Sequence, residues 1–129
     1  MSKRELLRVL LVEDSQLLSD RLLELMSDID GVAPIGAVTT ESAAINSIET
    51  QHPDVILLDL HLKEGTGFGV MRHINTMAAP PAVVVITNYS LPQYRKQAEF
   101  LGARFFLDKT QEFDRIPETL ELLREEKLS

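Results

Sequence analysis

Four times along the chain a short apolar run rich in β-formers breaks off at polar residues. Arg8-Val9-Leu10-Leu11-Val12 stops at Glu13-Asp14-Ser15, and Val55-Ile56-Leu57-Leu58 stops at Asp59. Ala82-Val83-Val84-Val85-Ile86 stops at Thr87-Asn88, and Arg104-Phe105-Phe106-Leu107 stops at Asp108-Lys109. A strand that is apolar on both faces is stable only where both faces are covered, as inside a parallel sheet. This pattern therefore excludes a sandwich with one wet face per sheet and demands helices on either side.

Those helices are legible between the runs. Leu18, Leu22 and Leu25 recur at helical spacing, as do Ala44, Ile45 and Ile48, then Val70, Ile74 and Met77. Leu91, Tyr94, Ala98 and Leu101 mark a fourth helix, and Ile116, Leu120 and Leu123 a fifth. Side-chain oxygens stand where helix starts need them: Ser15, Thr39 or Thr40, Ser90 and Asp114 are the expected N-caps. Pro117 is tolerated in the first turn of the last helix. Pro80-Pro81 breaks the third helix, and the stretch from Gly65 to Gly69 reads as a glycine-rich loop before it. A weaker run, Val32 to Val38, contains Pro34, which has no N–H to give a ladder and so belongs at a sheet edge. Strict alternation of strand and helix predicts a doubly wound α/β domain with a five-stranded parallel sheet. The flavodoxin-like strand order 2-1-3-4-5 puts the Pro34 strand at the edge that the proline requires.

The 129 residues suit one domain spanning 1–129, and 44% apolar with 26% charged residues is ordinary globular composition. There is no cysteine, which removes disulfides, thiolate metal sites and thiol nucleophiles. A net charge of −7 argues against direct binding of nucleic acid, since neutralising phosphates needs a basic face. The first residues meet charge at Lys3-Arg4-Glu5, with no long apolar stretch for a secretory leader and no run long enough to span a bilayer. The expectation is a cytoplasmic protein without membrane contact, either stand-alone or an excised domain with no effector attached.

In open α/β sheets ligands bind beyond the carboxyl ends of the strands. The expected order brings Glu13, Asp14, Asp59, Thr87 and Lys109 to that one rim. Clustered carboxylates repel and call for a cation, and an all-oxygen set suits Mg²⁺. An aspartate beside a metal and a lysine can attack phosphorus. Lys109 and the metal would neutralise the equatorial oxygens, and Thr87 would donate to one of them. Each residue alone has a plainer reading: a helix-start carboxylate pair, a turn aspartate, a capping threonine, a solvated lysine.

Taken together and in order, Glu13-Asp14, Asp59, Gly67, Thr87, Phe106 and Lys109 resemble the response-regulator receiver family over the whole chain. The resemblance implies that Asp59 is phosphorylated by a histidine kinase or phosphotransfer protein. It implies that Mg²⁺ is held by Glu13, Asp14 and Asp59, with Thr87 and Lys109 at the transferred group. It also implies a switch through Thr87 and the aromatic Phe106 to a downstream protein bound at the face of the fourth helix, fifth strand and last helix. Phe106 equally fits a plain core position. The only chemistry implied is slow self-phosphorylation and autodephosphorylation rather than enzymatic turnover. His61, Asn88 and Tyr89 would border the path of the hydrolytic water, and the bulk of Asn88 and Tyr89 predicts a slowly decaying phosphoaspartate.

The chain departs from the family at Lys63 and Thr110, where proline is usual, and at Asn88, where a small residue is usual. A non-proline cis bond costs about 2.5–4 kcal/mol, so Lys109-Thr110 is expected trans. Two alternatives use the same residues. A haloacid-dehalogenase-like phosphatase also has an Asp nucleophile, but normally with a second Asp two positions on, where this chain has His61. An unphosphorylated pseudo-receiver would serve as a docking scaffold. Gly65-Thr66-Gly67-Phe68-Gly69 lacks the spacing of a dinucleotide loop. His52, His61 and His73 lack metal-ligand spacing and read as surface residues, and Arg95-Lys96 reads as a solvated helix face.

Overall fold

A computed structural model describes residues 6–88 and 90–129. Five strands alternate with five helices: β1 Leu7–Val12, α1 Gln16–Ser27, β2 Val32–Val38, α2 Glu41–Gln51, β3 Val55–Leu58, α3 Gly67–Ile74, β4 Ala82–Thr87, α4 Pro92–Phe100, β5 Phe105–Asp108 and α5 Ile116–Leu128. All strand pairings are parallel and the order is β2-β1-β3-β4-β5.

The period-two alternation of a strand sorts the apolar runs into two cores. Leu10, Val12, Ile56, Leu58, Val83, Val85 and Phe106 face α2, α3 and α4, where they pack with Ala44, Ile48, Val70, Met71, Ile74 and Ala98. Val9, Leu11, Leu57, Val84, Ile86 and Leu107 face α1 and α5, meeting Leu22, Met26, Ile116, Leu120 and Leu123. This is why the central strands had to be apolar at every position. β2 lies at the edge as Pro34 requires. Its register slips between Val9↔Pro34 and Leu10↔Gly36, so Ile35 is an extra residue beside the proline.

Two of the expected caps hold: the Ser15 side chain accepts from Leu18 N–H, and that of Thr40 from Ala43 N–H. Two do not. α4 starts two residues beyond Ser90, with Leu91 at the N-cap position and Pro92 in the first turn. Proline pushes its predecessor into extended backbone, and Leu91 has ψ 147°, so the helix cannot begin sooner. Asp114 sits inside a short 3₁₀ turn, Phe113–Arg115, that leads directly into α5. Arg115 occupies the cap position in helical conformation, braced by ion pairs to Glu112 (2.8 Å) and Glu118 (3.2 Å). The segment from Gly65 to Gly69 is likewise not all loop. Thr66 caps Gly69 N–H and α3 begins at Gly67, while Met77 lies in the turns after its end. Among the described residues no helix is long and apolar enough to cross a membrane.

Candidate functional site

Every residue of the site stands at the carboxyl end of a strand, because the parallel sheet delivers all those ends to one rim. β1 hands on to Glu13 and Asp14. β3 hands on to Asp59, whose N–H continues the ladder to Val12 O at 2.9 Å. Thr87 ends β4 and pairs in register with Asp108 of β5, and Lys109 N–H donates to Thr87 O at 3.0 Å. The five residues expected at the rim are therefore the five found there.

Their side chains are unequal in exposure. Glu13 and Asp59 are buried (0% and 3% exposed), Asp14 is open to solvent, and Thr87 is fully buried. Lys109 reaches between the two buried carboxylates, with Nζ 2.8 Å from Asp59 Oδ2 and 2.6 Å from Glu13 Oε1. Glu13 Oε2 accepts from Ser15 N–H at 2.9 Å, and Asp59 Oδ1 accepts from His61 N–H at 3.3 Å. Burial pushes the Glu13 carboxyl above its ordinary range, and the charge of Asp59 adds to that. The Lys109 ammonium and the Ser15 N–H offset only part. Burial opposes the charge of Lys109, but its contacts with Asp59 and Glu13 outweigh this and raise its pKa.

Carboxylate oxygens of Glu13, Asp14 and Asp59 all lie within 4.8 Å of one another. One ammonium does not balance three carboxylates. Glu13 Oε1 is buried, and its one close partner, the Lys109 ammonium, is shared with Asp59. A further cation would take up that oxygen. All three groups offer carboxylate oxygens, the hard ligands that Mg²⁺ prefers. The donor set thus fits Mg²⁺.

The site opens into a cleft of about 260 Å³ lined by Glu13, Asp14, Ser15, Leu18, Asp59, His61, Asn88 and Lys109. His61 and Asn88 line this cleft, whereas Tyr89 lies outside the described residues. Ser15 and Leu18 were foreseen only as a cap and a helix residue. The bond from Ser15 N–H to Glu13 shows that the turn into α1 also sets the Glu13 carboxylate. Phe106 is buried in the core facing α4, with the Arg95 guanidinium 4.6 Å above its ring. Arg95 is thus more than a solvated face. His52 is exposed, His61 is exposed, and His73 pairs with Glu49 at 2.6 Å. No cis peptide bond occurs among the described residues, so Lys109-Thr110 is trans.

Gly67 is required by the chain that leaves β3. Its N–H donates to Leu60 O at 2.9 Å, and a Cβ there would lie 2.5 Å from Asp59 O and 2.9 Å from Leu60 Cα. Both are backbone atoms that cannot rotate away. Gly67→Ala is expected to destabilise the fold by about 1–3 kcal/mol, read as a lower urea midpoint, because the strand end carrying Asp59 must shift. An unchanged midpoint would show that the contact relaxes freely.

Comparison with known proteins agrees with this geometry. The model of the family described as the response regulator receiver domain matches residues 9–121. The sensory transduction protein LytT of Bacillus cereus is 32% identical over 124 residues, covering 96% of this chain and 50% of that protein. A protein-glutamate methylesterase/protein-glutamine glutaminase of Koribacter versatilis is 31% identical, covering 82% of this chain and 30% of that protein. The chain therefore spans half or less of the length of these curated relatives. Among solved structures, the signal receiver domain assigned to a Luxo repressor protein of Vibrio parahaemolyticus superposes with a TM-score of 0.84 at 30% identity. That match covers 95% of this chain and 92% of the other.

Proposed function

The chain belongs to the response regulator receiver domain family of two-component systems, and we propose that it works as a phosphoacceptor switch in which Asp59 takes the phosphoryl group. The observation that carries this reading is the contact of Lys109 with Asp59 inside a cluster of three carboxylates. In the transfer, an Asp59 oxygen forms a bond to phosphorus. The bond from phosphorus to the donor breaks, a P–N bond for phosphohistidine or a P–O bond for acetyl phosphate, and the donor leaves with the electron pair. Such transfer needs alignment and charge neutralisation more than a general base.

Lys109 stays beside the acceptor and pairs with the oxygens of the arriving group, and the Thr87 hydroxyl donates to one of them. Glu13, Asp14 and Asp59 would hold Mg²⁺, which supplies positive charge for the phosphoryl oxygens when bound. The proposed donor is a histidine kinase or phosphotransfer protein. The proposed output surface is the α4-β5-α5 face, reached through Thr87 and Phe106. For phosphate to bias that face it must favour one of two arrangements, and the Arg95–Phe106 stack is an element that can change. Asn88 in the cleft wall narrows the water path and favours a slowly decaying phosphoaspartate.

The test is incubation with acetyl phosphate and Mg²⁺, followed by intact mass. Wild type should gain the mass of one phosphoryl group, and chelation should prevent the gain. Asp14→Ala should weaken Mg²⁺ binding by about tenfold or more, since outer partners alone are worth 10–100-fold at metal sites. It should also abolish labelling at low Mg²⁺. Unchanged Mg²⁺ affinity in that variant would remove Asp14 from the metal site.

A further inference from the structure

Lys109 has a long, flexible side chain with much rotamer freedom to lose, yet its ammonium sits at two contacts in a buried place. Its placement depends on the backbone from which it springs. On one side that backbone is held by the ladder bond to Thr87 O. On the other side it turns sharply, and there Asp108 does the holding. Asp108 Oδ1 accepts from Thr110 N–H at 2.8 Å and from Gln111 N–H at 3.0 Å. Asp108 N–H donates to Glu112 Oε1 at 3.1 Å, and Asp108 O accepts from Glu112 N–H at 2.8 Å. The hydroxyl of Ser90, in the segment that follows Thr87, also bonds the Asp108 carboxylate.

An aspartate that bonds backbone N–H groups two and three residues on replaces ladder bonds by a local turn, and an ionised acceptor makes such bonds stronger. The carboxyl is lowered to about 2, first by Ser90 and then by the Gln111 and Thr110 N–H groups. It therefore stays charged throughout the neutral range. One side chain thus ties the turn after Lys109 to the segment after Thr87.

We propose that Asp108 is a positioning residue of the site: by fixing the turn from Lys109 to Gln111 and joining it to Ser90, it holds the Lys109 ammonium against Glu13 and Asp59. This rests on the reading that Lys109 serves phosphoryl transfer. Its decisive test is chosen to stand apart from that reading. Lys109 competes with Mg²⁺ for two of the three carboxylates, so Lys109→Ala should tighten Mg²⁺, on the order of tenfold. Asp108→Ala lets the ammonium wander and should tighten Mg²⁺ in the same direction, by about threefold. Asp108→Asn keeps the accepting oxygen and should restore the wild-type value.

Because Asp108 acts through Lys109, the double variant Asp108→Ala/Lys109→Ala should bind Mg²⁺ as Lys109→Ala does. Calorimetric titration with Mg²⁺ alone reads all four. An Asp108→Ala affinity equal to wild type, or weaker, overturns the proposal, as does a double variant that differs from Lys109→Ala. A second arm uses acetyl phosphate. Asp108→Ala should label about tenfold more slowly, since small misplacements of a reacting group cost up to about a hundredfold, and Asp108→Asn should recover most of the rate. If wild type itself takes no label, the phosphoacceptor reading falls and the Mg²⁺ cycle still decides the positioning.

Discussion

Asp59→Asn is expected to take up no phosphoryl group from acetyl phosphate under conditions that label wild type fully. The substitution keeps the shape of the side chain and its carbonyl oxygen, so the fold and the ladder bond from Asp59 N–H to Val12 O remain. It removes the only property that matters for attack, an anionic oxygen with a free lone pair. No other carboxylate in the site is placed to replace it. Glu13 is sealed against Lys109 with its pKa pushed up by burial, and Asp14 is open to water. Asp54, the other aspartate beside β3, is bound by Arg8 N–H at 2.8 Å and Lys127 Nζ at 2.8 Å, next to the start of that strand. The loss in rate is therefore near total, several powers of ten, and intact mass reads it directly. Label persisting on another carboxylate in Asp59→Asn would show that a different residue is the acceptor.

Lys109→Ala is expected to change both stability and chemistry. Removing the ammonium leaves Glu13 and Asp59 facing each other in a buried place with no cation between them. Breaking a buried pair in this way typically costs about 3–5 kcal/mol. Because Glu13 already holds its proton more tightly than usual, it can neutralise, and about 3 kcal/mol at neutral pH is the expected cost. The pH dependence follows from the sign of the Glu13 shift. A folded-state pKa raised above the ordinary 4.5 contributes stability that is fully present below that value and is lost as pH rises through the raised one. The deficit of Lys109→Ala should therefore be larger at pH 7 than at pH 5. Millimolar Mg²⁺ should restore much of it by supplying the missing positive charge. Labelling by acetyl phosphate should fall by about a hundredfold or more, the usual effect of removing a group that neutralises developing charge. Urea unfolding at both pH values, with and without Mg²⁺, checks the first part. A variant as stable as wild type without metal would contradict the electrostatic account of the site.

What could be read from the residues, and what could not, divides along physical lines. The topology was legible because the apolar runs in β1, β3 and β4 are continuous and Pro34 marks an edge, and these are properties of single segments. The rim residues were legible because parallel strands leave no choice about which end they share. The caps at Ser90 and Asp114 were misread because a side-chain oxygen near a helix start is only one way to begin it. Pro92 and the 3₁₀ turn at Phe113–Arg115 supply the others. Gly67 stood out as a glycine, but its reason, the approach of Asp59 O, depends on how α3 packs beneath β3. Asp108 was passed over as the polar end of a strand. Its bonds run to the residues that follow Lys109 and to Ser90 across the rim, and no spacing in the chain announces them.

The most direct test of the account is to trap the acyl phosphate where it forms. Wild-type protein labelled with acetyl phosphate and Mg²⁺ is reduced with borohydride, which converts a phosphorylated aspartate to homoserine, and the peptides are sequenced by mass. The account predicts homoserine at position 59 and at no other aspartate. Homoserine at position 14 or 54 with Asp59 intact, or a chain that takes no label at all, would contradict it.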